Sequence, residues 1–189
     1  MRVKSSECTS SDMLARRVFL TGEPGVGKTT IIREAIQDLR VQGLIVGGMV
    51  SQELRKGGVR VGFQLEDLST GEIGILASDH PTFEGPRIGR YTVNLADLEK
   101  VGAGAIQHAM LTAGVIVVDE IGPMELAAPR FVKTVHEALA SRKHFLGSIH
   151  KRSTHPMLAS IRSDAKNEVI EVTLANRNQL ALEVSSKFK

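Results

Sequence analysis

Apolar residues recur along this chain in two alternating rhythms, short β-branched runs and longer stretches with one apolar face. Arg17-Val18-Phe19-Leu20-Thr21 reads as a first strand. The stretch from about Lys28 to Gln42 sets Ile31, Ile32, Ala35, Ile36 and Leu39 on one side of a helix, and Gly43 is placed to end it. Leu44 to Val50 predicts a second strand. Val59 to Asp67 then alternates in places between Gly57-Gly58 and Ser69-Thr70-Gly71. Together with Ile73-Gly74-Ile75-Leu76 it predicts an antiparallel meander attached to a parallel sheet. Ser78 to Gly89, with Pro81 and Pro86, predicts a loop.

Asn94 can cap a helix from Leu95 to about Ala113, although Gly102 and Gly104 interrupt its pattern. Val115-Ile116-Val117-Val118 is unbroken and β-branched, the mark of a strand covered on both faces. Pro129 opens a helix to about Ser141. A strand from His144 to Ile149, a helix from Pro156, a strand from Glu168 to Thr173 and a helix from Asn176 complete the pattern. Strands alternating with helices predict an α/β sandwich with a largely parallel sheet. We expect a single domain over residues 16–189, behind a polar, Ser-rich, disordered leader at 1–15.

Composition narrows this picture only a little. At 189 residues one domain is comfortable. No apolar run approaches the roughly 20 residues of a membrane span, and the leader lacks a signal peptide's apolar stretch. The single cysteine, Cys8, excludes an internal disulfide and a cysteine-based metal site, which suits a reducing cytoplasm. A net charge of +3 fits a protein that handles phosphates. With one Tyr and no Trp to stack on bases, the chain argues against a nucleic-acid partner. No long apolar seam stands out, so a monomer is expected.

The chemistry starts at Gly22-Glu23-Pro24-Gly25-Val26-Gly27-Lys28-Thr29-Thr30, which matches the Walker A pattern between a predicted strand and a predicted helix. The glycines let successive backbone N–H groups converge on phosphate oxygens, and the helix start adds its positive dipole end. Lys28 supplies a cation to the β- and γ-phosphates, and Thr29 can offer its hydroxyl to Mg2+. Such a site needs a carboxylate at the tip of a buried strand beside the loop. Asp119 occupies that place as the Walker B candidate, and Glu120 stands where a base could polarise the attacking water. A carboxylate next to the metal ligand suits hydrolysis. The alternatives are a nucleotide-gated binding module, RNA-linked, with incidental hydrolysis, and a kinase for a small acceptor.

Several runs then fall into one order: Leu20 to Thr30, Gly57 to Phe63, Ile88 to Asn94, Val118-Asp119-Glu120-Ile121-Gly122-Pro123-Met124-Glu125-Leu126, and Asn176-Arg177-Asn178. Together they resemble the small nucleoside-triphosphatases first known from thermophiles, whose human relative is the cancer-related nucleoside-triphosphatase. The similarity runs from about Arg16 to the last helix. It implies a P-loop fold with a RecA-like core and slow, Mg2+-dependent hydrolysis of ATP, GTP, CTP and UTP. By motif match, it also implies nucleotide contacts from Gly22 to Thr29 and along Val115-Ile116-Val117-Val118-Asp119-Glu120-Ile121-Gly122.

Three further residues are candidates. A cation on the γ-phosphate would stabilise phosphoryl transfer, and Arg60 and Arg90 are favoured because they lie inside family-like runs. His150, after the strand ending at Ile149, is a candidate sensor of the γ-phosphate. Glu125 and Asn176-Arg177 read as residues that position the loop or touch the base, the structural role being favoured.

Overall fold

The computed structural model describes residues 15–188, so the leader expected at 1–15 lies outside the described residues but for its last position. Nine strands form one sheet in the order β5-β6-β4-β3-β2-β7-β8-β1-β9. The parallel half comprises β2 (Val46–Lys56), β7 (Val115–Ile121), β8 (His144–Ile149), β1 (Arg17–Thr21) and β9 (Asn167–Glu171). The antiparallel half is β3 (Val59–Asp67), β4 (Ile73–Ser78), β6 (Tyr91–Val93) and β5 (Arg87–Ile88).

Side-chain alternation along the central strands creates a three-layer sandwich. Val18, Leu20, Val115 and Val117 face one core with Ile31, Ile32, Ala35, Ile36 and Leu39 of α1 (Lys28–Val41). Leu180 and Val184 of α6 (Arg177–Ser186) join them. Phe19, Ile116, Val118 and Phe145 face the other core. There they meet α3 (Gly104–Thr112), α4 (Pro129–Ala140) and α5 (Pro156–Ser163). A sheet covered on both faces explains why the β7 run is β-branched throughout.

Four expectations change. The second strand, expected to end at Val50, runs to Lys56, because Ser51–Lys56 continues as the first arm of the hairpin with β3. Its polar side chains concealed it: this arm rises beyond the sheet edge, where burial no longer demands apolar residues. The loop expected over 78–89 ends in strand β5, and β6 adds a further antiparallel pairing. The helix expected over 95–113 is three pieces: α2 (Leu95–Asp97), a π-helical stretch Leu98–Ala103, and α3. Asn94 does cap it, accepting from the Asp97 N–H at 3.2 Å. Gly102 lies in the π turn, where a Cβ would stand a tight 3.1 Å from Leu98 Cδ1. Finally, β8 separates β1 from β7, so the acidic strand is one strand removed from the phosphate loop's own.

Gly48 has φ +112°, and a Cβ there would lie 2.1 Å from the Val117 carbonyl oxygen in the middle of the β2–β7 pairing. Relief would need backbone movement in the central sheet. Gly48→Ala is therefore expected to lose about 3 kcal/mol or more of stability, read as a lowered urea midpoint. An unchanged midpoint would contradict the close approach.

Candidate functional site

The phosphate loop begins where β1 ends. Gly22 has φ +149°, and a Cβ on it would stand 2.7 Å from the Val172 carbonyl oxygen, just past β9. Only glycine lets the chain turn that tightly against a neighbouring strand. Gly25 and Gly27 also sit at positive φ, so the loop's N–H groups can turn inward, and Gly27 is the N-cap of α1. Arg177, at the start of α6, covers the loop from outside: its guanidinium donates to the Val26 carbonyl at 3.5 Å. Asn176 closes the turn before it, donating to the Glu171 carbonyl and accepting from the Thr173 N–H.

The loop lysine points inward. Lys28 is buried, its Nζ 3.4 Å from the Gly22 carbonyl oxygen and 3.6 Å from Glu120 Oε2. Asp119 is fully buried beside them and accepts a short hydrogen bond from Ser148 Oγ on β8. Burial pushes the Asp119 carboxyl above its ordinary range. The Ser148 and Thr29 hydroxyls oppose that shift, the nearby Glu120 charge adds to it, and Lys28 opposes it. Lys28, Thr29, Asp119 and Glu120 thus converge on one spot at the C-terminal ends of the parallel strands.

Asp119 Oδ2 is buried and has no hydrogen-bond partner. A lone carboxylate oxygen with hydroxyls around it suits a hard, water-carrying cation held through few protein ligands, which is how Mg2+ binds beside phosphates. The residues present therefore fit the metal that the motif implies.

Glu125 opens a 3-10 turn, Glu125–Ala127, after β7 and is buried. It accepts from the Gly122 N–H at 3.0 Å. Burial first, and the Glu120 charge second, raise its pKa from 4.5 to about 8, so it is protonated at neutral pH. This raised value has a consequence for stability. Between the unfolded value and about pH 8, the folded state holds a proton that the unfolded chain has released. Stability therefore falls as pH rises through that window, by about 1.4 kcal/mol per pH unit. Glu125→Gln keeps an acceptor for Gly122 and is expected to remove that slope in denaturant titrations at pH 5.5 and 8. A variant whose pH dependence matches wild type would place the proton elsewhere.

The remaining candidates fall in two places. Arg60 donates to Glu53 at 2.6 Å and to the Tyr91 hydroxyl at 3.1 Å, while Arg90 bonds the Arg60 carbonyl and lies near Asp79. Val50 pairs with Asp119, and Arg55 with Arg60, so Arg60 stands five residues further up the hairpin. That is roughly 17 Å along the strand. The structure does not bring either arginine to Lys28. His150 does follow β8 at the loop's side of the sheet, but its Nδ1 accepts from the Arg152 and Ser153 N–H groups at 3.3 and 3.1 Å. It shapes its own turn, with Nε2 left free.

Sequence reasoning missed Ser148, whose signal was a single hydroxyl inside an otherwise apolar strand. It also missed Lys151, Arg152 and Arg162 around the turn after β8. A cavity of about 200 Å³ lined by Arg17, His136, Asp164 and Asn167, among others, opens at the N-terminal ends of β1 and β9, away from the loop, and shares no residue with this site.

A family model described as NTPase matches residues 17–185. The chain belongs to that NTPase family. Among its relatives, a nucleoside-triphosphatase THEP1 of Thermofilum pendens is 46% identical, over 92% of this chain and 98% of that one. The THEP1 of Methanosarcina acetivorans is 42% identical, over 91% and 96%. Two solved structures share the NTPase fold. The crystal structure of THEP1 from Aquifex aeolicus has a TM-score of 0.81 at 28% identity, covering 92% of this chain and 99% of that one. The solution structure of a human cancer-related nucleoside triphosphatase has a TM-score of 0.78 at 35% identity, covering 93% and 98%.

Proposed function

We propose that this NTPase-family protein hydrolyses ATP, GTP, CTP and UTP to the diphosphate and phosphate, slowly, with Mg2+ and with little preference for the base. The observation that carries this reading is the meeting of Lys28, Thr29, Asp119 and Glu120 at one point. Glu120 lies 3.6 Å from the Lys28 ammonium. A triphosphate entering the loop offers that ammonium better partners in its β- and γ-oxygens, and Lys28 moves to them. Glu120 is then left without its cation, beside the γ-phosphate, able to accept a proton from water. As the water oxygen bonds to the γ-phosphorus, the bond to the bridging oxygen breaks and its electron pair leaves with the diphosphate. Thr29, and Asp119 through water, would hold Mg2+, which would supply positive charge to the phosphate oxygens. Asp119 and Ser148, locked together, orient that end of the site.

Loose base selection agrees with a site whose assembled chemistry faces only the phosphates. Among the described residues no helix is long and apolar enough to cross a membrane. Exposed large apolar residues such as Val41, Val59, Ile73 and Leu182 lie on separate elements, which supports a monomer. The test is phosphate release from each of the four triphosphates and their diphosphates, with no second substrate, with and without EDTA. Mg2+-dependent release from all four triphosphates supports the reading. No release, or transfer of labelled γ-phosphate to a metabolite, overturns it.

A further inference from the structure

Across the mouth of the phosphate loop lies a pair of cations that the steps above do not use. Lys151 and Arg152 follow β8 directly, and β8 is the strand wedged between β1 and β7. Both hold Glu23, the second residue of the phosphate loop. Lys151 Nζ is 3.2 Å from Glu23 Oε1, and Arg152 Nη2 donates to both carboxylate oxygens at 3.1 Å. The hydrogen bonds from Lys151 and Arg152 hold the Glu23 carboxyl below its ordinary range.

The two cations differ in how firmly they are held. Lys151 also reaches Glu171 at 2.7 Å, so it is pinned between two carboxylates. Arg152 has Glu23 as its sole side-chain partner among the described residues, and its side chain is 76% exposed. The backbone beneath it is firm. The His150 N–H donates to the Ile121 carbonyl of β7, and the His150 ring accepts from the Arg152 and Ser153 N–H groups. From α5, Arg162 donates to the carbonyls of His150, Lys151 and Ser153. A braced turn therefore carries a long, exposed guanidinium at the edge of the phosphate loop. Its present ion pair is exposed and weak, because water and salt screen it. The terminal phosphate of a bound nucleotide is a better partner, since it carries more charge and accepts two parallel N–H bonds.

We propose that Arg152 is this chain's own catalytic cation: it leaves Glu23 and turns onto the γ-phosphate oxygens when a triphosphate binds. There it stabilises the charge on those oxygens while water adds and the diphosphate departs. Arg152 stays protonated throughout; the proton lost by water goes to Glu120. His150 is a positioning residue that fixes the turn from which Arg152 swings. Arg60 and Arg90, engaged with Glu53, Tyr91 and Asp79 far up the hairpin, leave this role open. The proposal rests on the hydrolytic reading above.

The experiment compares wild type, Arg152→Ala and Arg152→Lys by steady-state hydrolysis of ATP and by affinity for ADP and for a non-hydrolysable ATP analogue. Arginines in this role contribute about 10³- to 10⁵-fold to turnover in other phosphoryl-transfer enzymes. Arg152→Ala is expected to lower kcat by about 100-fold or more, with ADP affinity within about threefold of wild type. The ATP analogue should weaken more than ADP, and Arg152→Lys should restore part of kcat. An unchanged kcat, or equal losses for ADP and the analogue, would overturn the proposal; the latter would leave Arg152 a mere clamp on the loop. If wild type released no phosphate, the hydrolytic reading would fall. The analogue-to-ADP ratio would then still report whether Arg152 meets the γ-phosphate.

Discussion

Lys28→Ala is expected to abolish turnover and to weaken triphosphate binding by about 100-fold or more. The size of the effect follows from where Lys28 sits. Its ammonium is buried under the loop, and its neighbours, the Gly22 carbonyl and the Glu120 carboxylate, are both on the nucleotide's side of the sheet. No other cation among the described residues is buried there, since Arg152 and Arg177 approach from the exposed rim. Removing Lys28 also leaves Glu120 facing the incoming phosphates uncompensated, so charge repulsion adds to the lost attraction. The fold should survive, because α1 is held by the burial of Ile31, Ile32, Ala35, Ile36 and Leu39. Titration with a fluorescent triphosphate and a circular-dichroism melt check both halves. Wild-type affinity in a folded variant would show that the loop does not bind the phosphate tail.

Glu120→Ala should behave in the opposite way for binding and in the same way for rate. Turnover is expected to fall by roughly 100-fold or more, the usual range for removing a general base. Affinity should stay the same or tighten. Glu120 lies 3.6 Å from Lys28 and competes with a triphosphate for its ammonium. Without the carboxylate, Lys28 is ready for phosphate from the start. Single-turnover rates and equilibrium affinity, measured on one preparation, separate the two effects. Normal turnover would show that Glu120 is not the base, and a large loss of affinity would show that it chiefly supports the loop. The contrast with Lys28→Ala is useful because the two residues touch, yet one should control binding and the other the chemical step.

The position of β8 shapes both outcomes. Because it lies between β1 and β7, the phosphate loop and the acidic strand tip are spaced by one full strand, roughly 5 Å on each side. That spacing leaves room for a nucleotide tail and an ion between them. It also lets β8 contribute from the middle: Ser148 bonds Asp119 from below, and the turn after His150 carries Lys151 and Arg152 to Glu23 above.

Residue order alone determined the phosphate loop, the buried acidic strand and the alternation of strands and helices, because these depend on local periodicity and on contiguous motifs. Val115 to Val118 could only be a strand covered twice, and Gly22 to Thr29 carries its own geometry within a few residues. Tertiary structure alone decided what distant segments bring to the same point. Nothing local in Phe145 to Ile149 says that Ser148 meets Asp119, 29 positions earlier. Nor does anything near Lys151 and Arg152 say that they face Glu23 from more than a hundred residues away. The same holds for the arginines at 60 and 90: their run in the sequence looks like part of the site, yet the hairpin's register carries them up and away from it. Strand order and register are set by how whole faces bury against each other, and that information is spread over the entire chain.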